Sequence, residues 1–138
     1  MRIEIQLTRE RISTDAARLK LGEHGSGALV EFSGVVRGEE NGRTIAALEY
    51  EAYDAMAVRV MRQICESLGT TQPCNAVVIV HRIGVIPVCE AAIYVCAAAR
   101  HRAEAFALVT SFMDRLKQDV PIWKCRALTS DELKSKAA

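Results

Sequence analysis

Residues 76–84, AVVIVHRIG, constrain the fold most, because their apolar side chains run together through Val80 without alternating with polar ones. A strand that exposes one face alternates, whereas a strand covered on both faces reads as a continuous apolar run. We therefore predict a central strand here, with other elements packed on both of its faces. Further strands are predicted at residues 3–7, 28–36, 44–52, near 90–98 and at 122–127.

Two long helices are predicted. The first runs from about Asp54 to Leu68, because apolar residues recur there every four positions. Those residues are Met56, Val60, Ile64 and Leu68. The second begins near His101 and ends before Pro121, since proline is poorly tolerated inside a helix. A shorter helix is predicted from Ser13, a favourable N-cap residue, to about residue 22.

The arrangement of these elements predicts an α+β fold: a largely antiparallel sheet with two long helices and hairpin extensions. The pair Asn41-Gly42 is typical of a two-residue hairpin turn between strands. Pro87 marks a turn before the strand near 90–98. No repeat, low-complexity stretch or linker interrupts the chain, so residues 1–138 are predicted to be a single domain that ends in a loose helix or tail.

The composition argues against several classes of protein. The net charge of +1 over 138 residues is too small for a general binder of nucleic acid or membrane surfaces. No apolar run is long enough to span a bilayer, and the N-terminus lacks the apolar centre of a signal peptide, so we expect a cytoplasmic protein. The five cysteines form no C-x-x-C pair, which disfavours a disulfide framework or a zinc site.

Lys117 is the residue most suggestive of chemistry. On a helical projection it lies in the middle of the apolar stripe of the second long helix. That stripe consists of Phe106, Val109, Thr110, Met113 and Leu116. A lysine in the last helical turn also complements the helix dipole and reaches solvent, and the periodicity alone favours this ordinary role.

A second cation, Lys124, follows the break at Pro121 and adjoins Trp123, the only tryptophan. A helix end and a strand joined by a short turn can bring the Lys117 and Lys124 side chains to one pocket. Two neighbouring ammonium groups disfavour each other's charge, which lowers the pKa and allows proton transfer near neutral pH. The spacing alone is only suggestive.

The second long helix also opens with cations, at Arg100, His101 and Arg102. A helix N-terminus is already electropositive, so these side chains suit either a bound anion such as phosphate or a solvated basic turn. Arg37, at the end of a strand before a glycine-containing loop, reads by itself as a surface arginine.

The remaining candidates carry weaker signals. Cys125 lies beside Lys124 but has no evident base partner, so a structural thiol is the better interpretation. His81 and Arg82 close the apolar central strand and are equally compatible with a structural role. Motifs for nucleotide binding or for a serine hydrolase are missing from the sequence.

Four segments together resemble the MoaE family, the large subunits of molybdopterin synthase. They are GALVEFSGVVRG (27–38), LEYEAYDAMA (48–57), VVIVHRIGVI (77–86) and RHRAEAFALVTSFMDRLKQDVPIWK (100–124). Each motif is modest, but their conjunction is highly specific and covers roughly residues 3–127. The resemblance implies the MoaE-like α/β hammerhead fold. It also marks residues 127–138 as an atypically short C-terminal tail.

The resemblance implies a reaction and partners. In this family a small ubiquitin-like sulfur-carrier subunit inserts its C-terminal Gly-Gly thiocarboxylate into a pocket of the large subunit. Sulfur passes twice to cyclic pyranopterin monophosphate and forms the molybdopterin dithiolene. The large subunits form a homodimer within a heterotetramer, and the neighbouring large subunit completes each pocket. Neither a metal nor an organic cofactor is implied.

The resemblance also assigns residues. Lys117 and Lys124 match the family's catalytic lysines, whereas Arg37, His101 and Arg102 match its contacts to the substrate anion. Residues 124–126 (Lys124, Cys125 and Arg126) match a further substrate-binding stretch. The family usually has a lysine or arginine followed by glutamate after the W-K pair, so Cys125 puts the role of its position in doubt.

Two other interpretations remain open on the sequence. One is a non-catalytic relative that binds the small subunit or a pterin without turnover; the short tail and Cys125 favour it, and the retained cations oppose it. The other is a ligand-sensing α+β domain of an unrelated family, which predicts no special role for Lys117.

Overall fold

The computed structural model describes residues 1–22 and 24–137 and contains nine strands and four helices within them. The strands are β1 (Arg2–Thr8), β2 (Ala28–Val35), β3 (Glu39–Glu40), β4 (Arg43–Thr44), β5 (Ala47–Ala52), β6 (Ala76–Arg82), β7 (Gly84–Pro87), β8 (Ala91–Ala99) and β9 (Ile122–Leu128). The helices are α1 (Thr14–Leu19), α2 (Asp54–Thr71), α3 (Arg102–Asp119) and α4 (Ser130–Ala137). Among the described residues, no helix is long and apolar enough to cross a membrane.

The main sheet has four strands in the order β1-β6-β8-β2. Strand β6 pairs parallel with β1 and antiparallel with β8, and β2 pairs antiparallel with β8. Every residue of β6 is buried. One face packs against α2 and α3, and the other packs against the segment that contains α1. The predicted central strand is therefore confirmed, as is the α+β class with a largely antiparallel sheet.

A second sheet of three antiparallel strands has β5 between β7 and β9. The predicted strand at 44–52 is divided, because β4 ends at Thr44 and β5 begins at Ala47. The intervening amides bond elsewhere: the Ile45 N–H donates to the Gly38 carbonyl, and the Ala46 N–H donates to the Leu128 carbonyl. Strand β7 was not predicted, since four residues that include a proline give little periodicity.

The hairpin predicted at Asn41-Gly42 is confirmed as the connection between β3 and β4. Both residues have positive φ, 51° for Asn41 and 78° for Gly42. Positive φ at both central positions is the geometry that matches the twist of a two-residue hairpin. Ser13 is confirmed as a cap as well, because its hydroxyl accepts from the Ala16 N–H at 3.2 Å.

The buried face of α3 differs from the predicted stripe. Phe106, predicted to be in the stripe, is 57% exposed, and Thr110 is exposed as well. The residues that α3 buries are Ala105, Leu108, Val109, Phe112 and Leu116. The prediction was wrong because it gave no weight to Ala105, whose small side chain packs in the same core as the alanines of β8. Lys117 consequently lies at the edge of the buried face, not at its centre.

The predicted face of α2 is displaced in the same way. Met56 is 46% exposed, whereas Ile64 is buried as predicted. The buried residues of α2 are Ala57, Met61, Ile64 and Cys65. Here too the small residues, Ala57 and Cys65, lie in the core with the main sheet, and they do not stand out in a count of large apolar side chains.

A partly buried ion pair ties the end of β6 to the turn that precedes β8. The Arg82 Nη1 donates to Glu90 Oε1 at 2.7 Å, and Arg82 Nη2 donates to the Val85 carbonyl at 3.4 Å. Only 11% of the Arg82 side chain and 21% of the Glu90 side chain are exposed. Arg82 Nε is buried without a partner in the described chain. The guanidinium therefore depends on Glu90 for charge compensation.

Glu90→Gln is expected to lower the free energy of unfolding by about 2–3 kcal/mol, because it leaves a desolvated guanidinium without its counter-charge. Urea unfolding at neutral pH measures this difference. Glu66→Gln is the control, since Glu66 is an exposed carboxylate of α2. A loss at Glu90 no larger than the loss at Glu66 would contradict the importance of this pair.

Candidate active site

A cavity of about 250 Å³, here called the central cavity, lies where the two sheets meet the last turns of α3. Its wall is formed by Phe32, Gly34, Val35, Val36, Leu48, Tyr50, His81, Ala92, Ile93, Met113, Leu116, Lys117 and Ile122. The wall is mostly apolar and includes three titratable side chains, those of Tyr50, His81 and Lys117. The volume is slightly below the roughly 300–1,000 Å³ typical of small-molecule sites, so the cavity suits a narrow occupant.

Lys117 borders this cavity from the last turn of α3. Its side chain is exposed, and it makes no hydrogen bond or ion pair with any residue in the described ranges. A lysine that no carboxylate neutralises is available to an incoming anion or to a reacting group. The geometry thus agrees with the sequence in putting Lys117 at a pocket, although it is exposed in the single chain.

Lys124 lies on the strand pair that forms one wall of the central cavity. In the β5–β9 register it is opposite Tyr50, and Ile122, two residues earlier on the same strand face, lines the cavity. The Lys124 Nζ donates to Glu40 Oε1 at 3.0 Å. Lys124 thus lies on the strand that contributes Ile122 to the wall but is outside the lining of the central cavity, and Glu40 holds its ammonium group. A shared pocket for Lys117 and Lys124 stays a prediction.

Cys125 occupies a β-bulge, where the register shifts between Glu49 and Tyr50. Its thiol donates to the Glu49 carbonyl at 3.3 Å. Burial, followed by the nearby carboxylates Glu51 and Glu49, raises the pKa of the Cys125 thiol. A raised pKa disfavours the reactive thiolate, in agreement with the structural interpretation of this residue.

Arg126 is held by a carboxylate of β5. Its Nη2 lies 2.9 Å from Glu49 Oε1, and the Lys136 Nζ of α4 lies 3.3 Å from Glu49 Oε2. The hydrogen bond from Arg126 is the main cause that lowers the pKa of Glu49, against a smaller opposing effect of burial. An anionic ligand at Arg126 must therefore compete with Glu49.

Arg37 does not line the central cavity itself. It directly follows Val36, which lines the cavity, and it borders a separate hollow together with Glu39 and Asn41. The side chain is exposed. Its position one residue beyond the cavity wall is compatible with contact to a charged group of a ligand that projects from the cavity.

His101 and Arg102 lie at the opposite end of α3 from Lys117. His101 is the N-cap residue and Arg102 is the first helical residue; both are exposed. Fifteen residues separate Arg102 from Lys117 along one helix, which corresponds to about 22 Å at the helical rise of about 1.5 Å per residue. Within a single chain these two residues therefore do not belong to the central cavity.

The sequence profile of the MoaE protein family matches residues 7–119. The chain belongs to the MoaE family. It is 37% identical over 130 residues to the molybdopterin synthase catalytic subunit of Drosophila erecta, an alignment that covers 94% of this chain and 35% of that protein. The chain thus spans about a third of the length of that relative. Membership of the family rules out the interpretation as an unrelated ligand-sensing domain.

Solved structures agree with the MoaE-family assignment. Molybdopterin synthase from Staphylococcus aureus superposes with a TM-score of 0.84 at 33% identity, covering 91% of this chain and 90% of that one. Subunits 1 and 2 of molybdopterin-converting factor from Helicobacter pylori were solved as a protein–protein complex. That match has a TM-score of 0.72 over 93% of this chain and 90% of that one, and at 20% identity it shows the fold alone.

The MoaE-family match ends at residue 119, so Lys117 lies inside it and residues 124–126 lie beyond it. The sequence left the role of His81 open and gave no indication of Tyr50. The rings of these two residues make a T-shaped contact at the cavity wall, with their centroids 5.7 Å apart. Burial lowers the pKa of His81. The available signal was a histidine directly after the apolar residues 76–80 of β6.

Proposed function

We propose that this chain is the catalytic subunit of a molybdopterin synthase. In this proposal it transfers sulfur from the thiocarboxylated C-terminus of a small ubiquitin-like subunit to cyclic pyranopterin monophosphate, forming the molybdopterin dithiolene. The observation that carries the proposal is Lys117 at the border of the central cavity of a MoaE-family fold, with Lys124 two residues beyond the cavity-lining Ile122 on β9. A cytoplasmic location remains a prediction from the sequence.

The central cavity suits the tail of the small subunit. Phe32 and Met113 give it apolar walls, and its volume of about 250 Å³ favours a slim, extended segment such as one that ends in Gly-Gly. Lys117 at the cavity border provides a positive charge for the terminal thiocarboxylate. The Helicobacter pylori relative, solved as a complex of two subunits, supports a partner of this kind.

The phosphorylated pterin requires a cationic surface next to the cavity. Arg37, Lys124 and Arg126 are suitable in charge, and the ion pairs with Glu40 and Glu49 keep the latter two ordered until an anion binds. Cys125, between them, contributes its backbone within the same stretch. Charge-assisted hydrogen bonds of this type position a phosphate without a metal ion.

His101 and Arg102 are proposed to act on the cavity of a second large subunit, because the length of α3 separates them from their own Lys117. This arrangement requires a homodimer of large subunits, which with two small subunits makes a heterotetramer. Exposed apolar side chains on the edge strand β2 and on α3 support protein contacts of this kind. They are Leu29, Phe32, Val35 and Phe106, which are between 38% and 57% exposed.

The lysines have complementary roles in this proposal. Transfer of sulfur to a pterin carbon expels an oxygen, and the departing oxygen needs a proton. Lys117, next to the tail, is proposed to donate and recover this proton, whereas Lys124 binds the substrate anion and shares the proton transfers. No cofactor enters the reaction.

An in vitro conversion assay tests the proposal. Purified chain, thiocarboxylated small subunit and cyclic pyranopterin monophosphate are expected to yield molybdopterin, detected as its oxidised fluorescent derivative. The control replaces the thiocarboxylate with an ordinary carboxylate, which has no sulfur to give. A chain that binds the small subunit but forms no product would instead support the non-catalytic relative, which Cys125 favours.

A further inference from the structure

His81 is a buried histidine in the wall of the central cavity that the proposed function leaves without a role. It is the penultimate residue of β6, and only 5% of its surface is exposed. Its neighbours along β6 are apolar as far as Ala76. An imidazole at such a position costs free energy unless its polar atoms are used, so its two nitrogens need separate explanations.

The first nitrogen is fixed by the backbone. Nδ1 lies 2.7 Å from the Arg82 carbonyl oxygen. Because a carbonyl oxygen only accepts, Nδ1 carries the hydrogen, and in the neutral ring the lone pair is on Nε2. The ion pair between Arg82 and Glu90 anchors the residue that provides this carbonyl. The edge of the ring also contacts Tyr50, so the orientation of the imidazole is fixed from two sides.

The second nitrogen is free. Nε2 has no hydrogen-bond partner in the described ranges, and it is not among the atoms that are sealed from solvent without a partner. With the hydrogen on Nδ1 it is an acceptor, and it belongs to a side chain that lines the central cavity. Desolvation is the main cause that lowers the pKa of His81, which favours the neutral ring and its lone pair on Nε2.

The proposed reaction requires such an acceptor. When the thiocarboxylate sulfur bonds to a pterin carbon, it is still attached to the carbonyl carbon of the tail, and the two molecules are joined as a thioester. The tail leaves as a carboxylate only if a water oxygen replaces the sulfur. Water is a weak nucleophile until a base takes its proton.

We propose that His81 is the general base that activates this water, an inference that rests on the proposed function. The water oxygen bonds to the tail carbonyl carbon as one water proton passes to Nε2. The C–S bond then breaks, and its electron pair stays on the sulfur. The tail departs as a carboxylic acid that ionises, the thiolate takes up a proton, and the imidazolium returns its proton to solvent. No oxidant or reductant is involved.

The other titratable groups of the cavity wall are less suitable. Lys117 already has a task in the proposed reaction, because it donates and recovers the proton of the oxygen that leaves the pterin. The ring of Tyr50 contacts the ring of His81, so Tyr50 helps to orient the imidazole. Lys117 is thus assigned to the departing oxygen, and His81 to the incoming one.

His81→Gln tests whether His81 acts as a base or only as a hydrogen-bonding group. The glutamine amide accepts a hydrogen bond but does not take up a proton. The variant is expected to form product at least about a hundredfold more slowly, the contribution typical of general base catalysis. It is also expected to accumulate the small subunit with pterin attached, seen as a mass increase of the intact subunit. Hydroxylamine, which attacks thioesters without a base, is expected to discharge that adduct.

Val78→Ala is the control, since Val78 is a buried residue of the same strand that packs on the opposite face of the sheet. Thermal unfolding establishes that His81→Gln is folded, and the smaller His81→Asn replaces it if it is not. The wild-type chain gives an independent measurement: single-turnover decay of the adduct is expected to slow in D₂O, because a proton moves in that step.

Several results would overturn the role of His81. They are wild-type turnover by His81→Gln, a slow variant in which no adduct forms, and adduct decay that is insensitive to D₂O. These differ from a failure of the proposed function, in which the wild-type chain itself forms no molybdopterin with a competent small subunit.

Discussion

Lys117→Ala is expected to lower the rate of molybdopterin formation by at least about a hundredfold while the protein stays folded. The loss follows from removing the amine that, among the described residues, borders the central cavity. Stability is expected to change by less than about 0.5 kcal/mol, because the side chain is exposed and has no partner among the described residues. The conversion assay and urea unfolding measure the two effects separately.

Two further substitutions sharpen this experiment. Lys20→Ala removes one lysine charge near the opposite face of the main sheet, where Lys20 donates to Gln6, and it is expected to retain activity. Lys117→Arg keeps the charge but removes an amine that is able to lose a proton. If Lys117→Arg retains full activity, Lys117 binds an anion and transfers no proton; if Lys117→Ala retains it, the lysine has no part in the reaction.

The sequence predicted the central strand better than it predicted the buried faces of the helices. The apolar run of β6 predicted a central strand, and this is confirmed, because continuous burial leaves few other arrangements. The buried faces of α2 and α3 were predicted less well. The predicted buried faces included Met56 and Phe106 because these side chains are large and apolar, but both are exposed. The alanines that are buried in the core were not counted in the prediction.

The surroundings of the candidate site residues were also predicted only in part. Lys117 was identified from the sequence, but a helical projection put it at the centre of a buried stripe, whereas it lies at the edge. The ion-pair partner of Lys124 could not be predicted from the sequence, because Glu40 is 84 residues away along the chain. Glu40 belongs to the short β3–β4 hairpin. The sequence left the role of His81 open. The structure shows that His81 and Lys117 line the same cavity, which makes a role in the reaction worth testing.

The assignment of His101 and Arg102 leads to the second large effect. If these residues serve the cavity of the other large subunit, then Arg102→Ala and Lys117→Ala are each expected to be inactive alone and to recover activity when mixed. Random reassortment makes half of the dimers mixed, and each mixed dimer has one cavity with all its residues. About 25% of wild-type activity is therefore expected in an exchanging dimer of this symmetry.

A mixture of Lys117→Ala and Lys124→Ala is the matched control for this complementation. In the proposed function both lysines serve the cavity of their own chain, since Lys117 lines it and Lys124 shares β9 with the lining residue Ile122. Every cavity in a mixed dimer then lacks one of them, and no activity is expected to return. Size-exclusion chromatography with differently tagged subunits measures the exchange itself. Subunits that exchange fully without recovering activity would mean that Arg102 does not act across the dimer. Because α3 separates Arg102 from Lys117 of the same chain by about 22 Å, Arg102 would then have no role at either cavity.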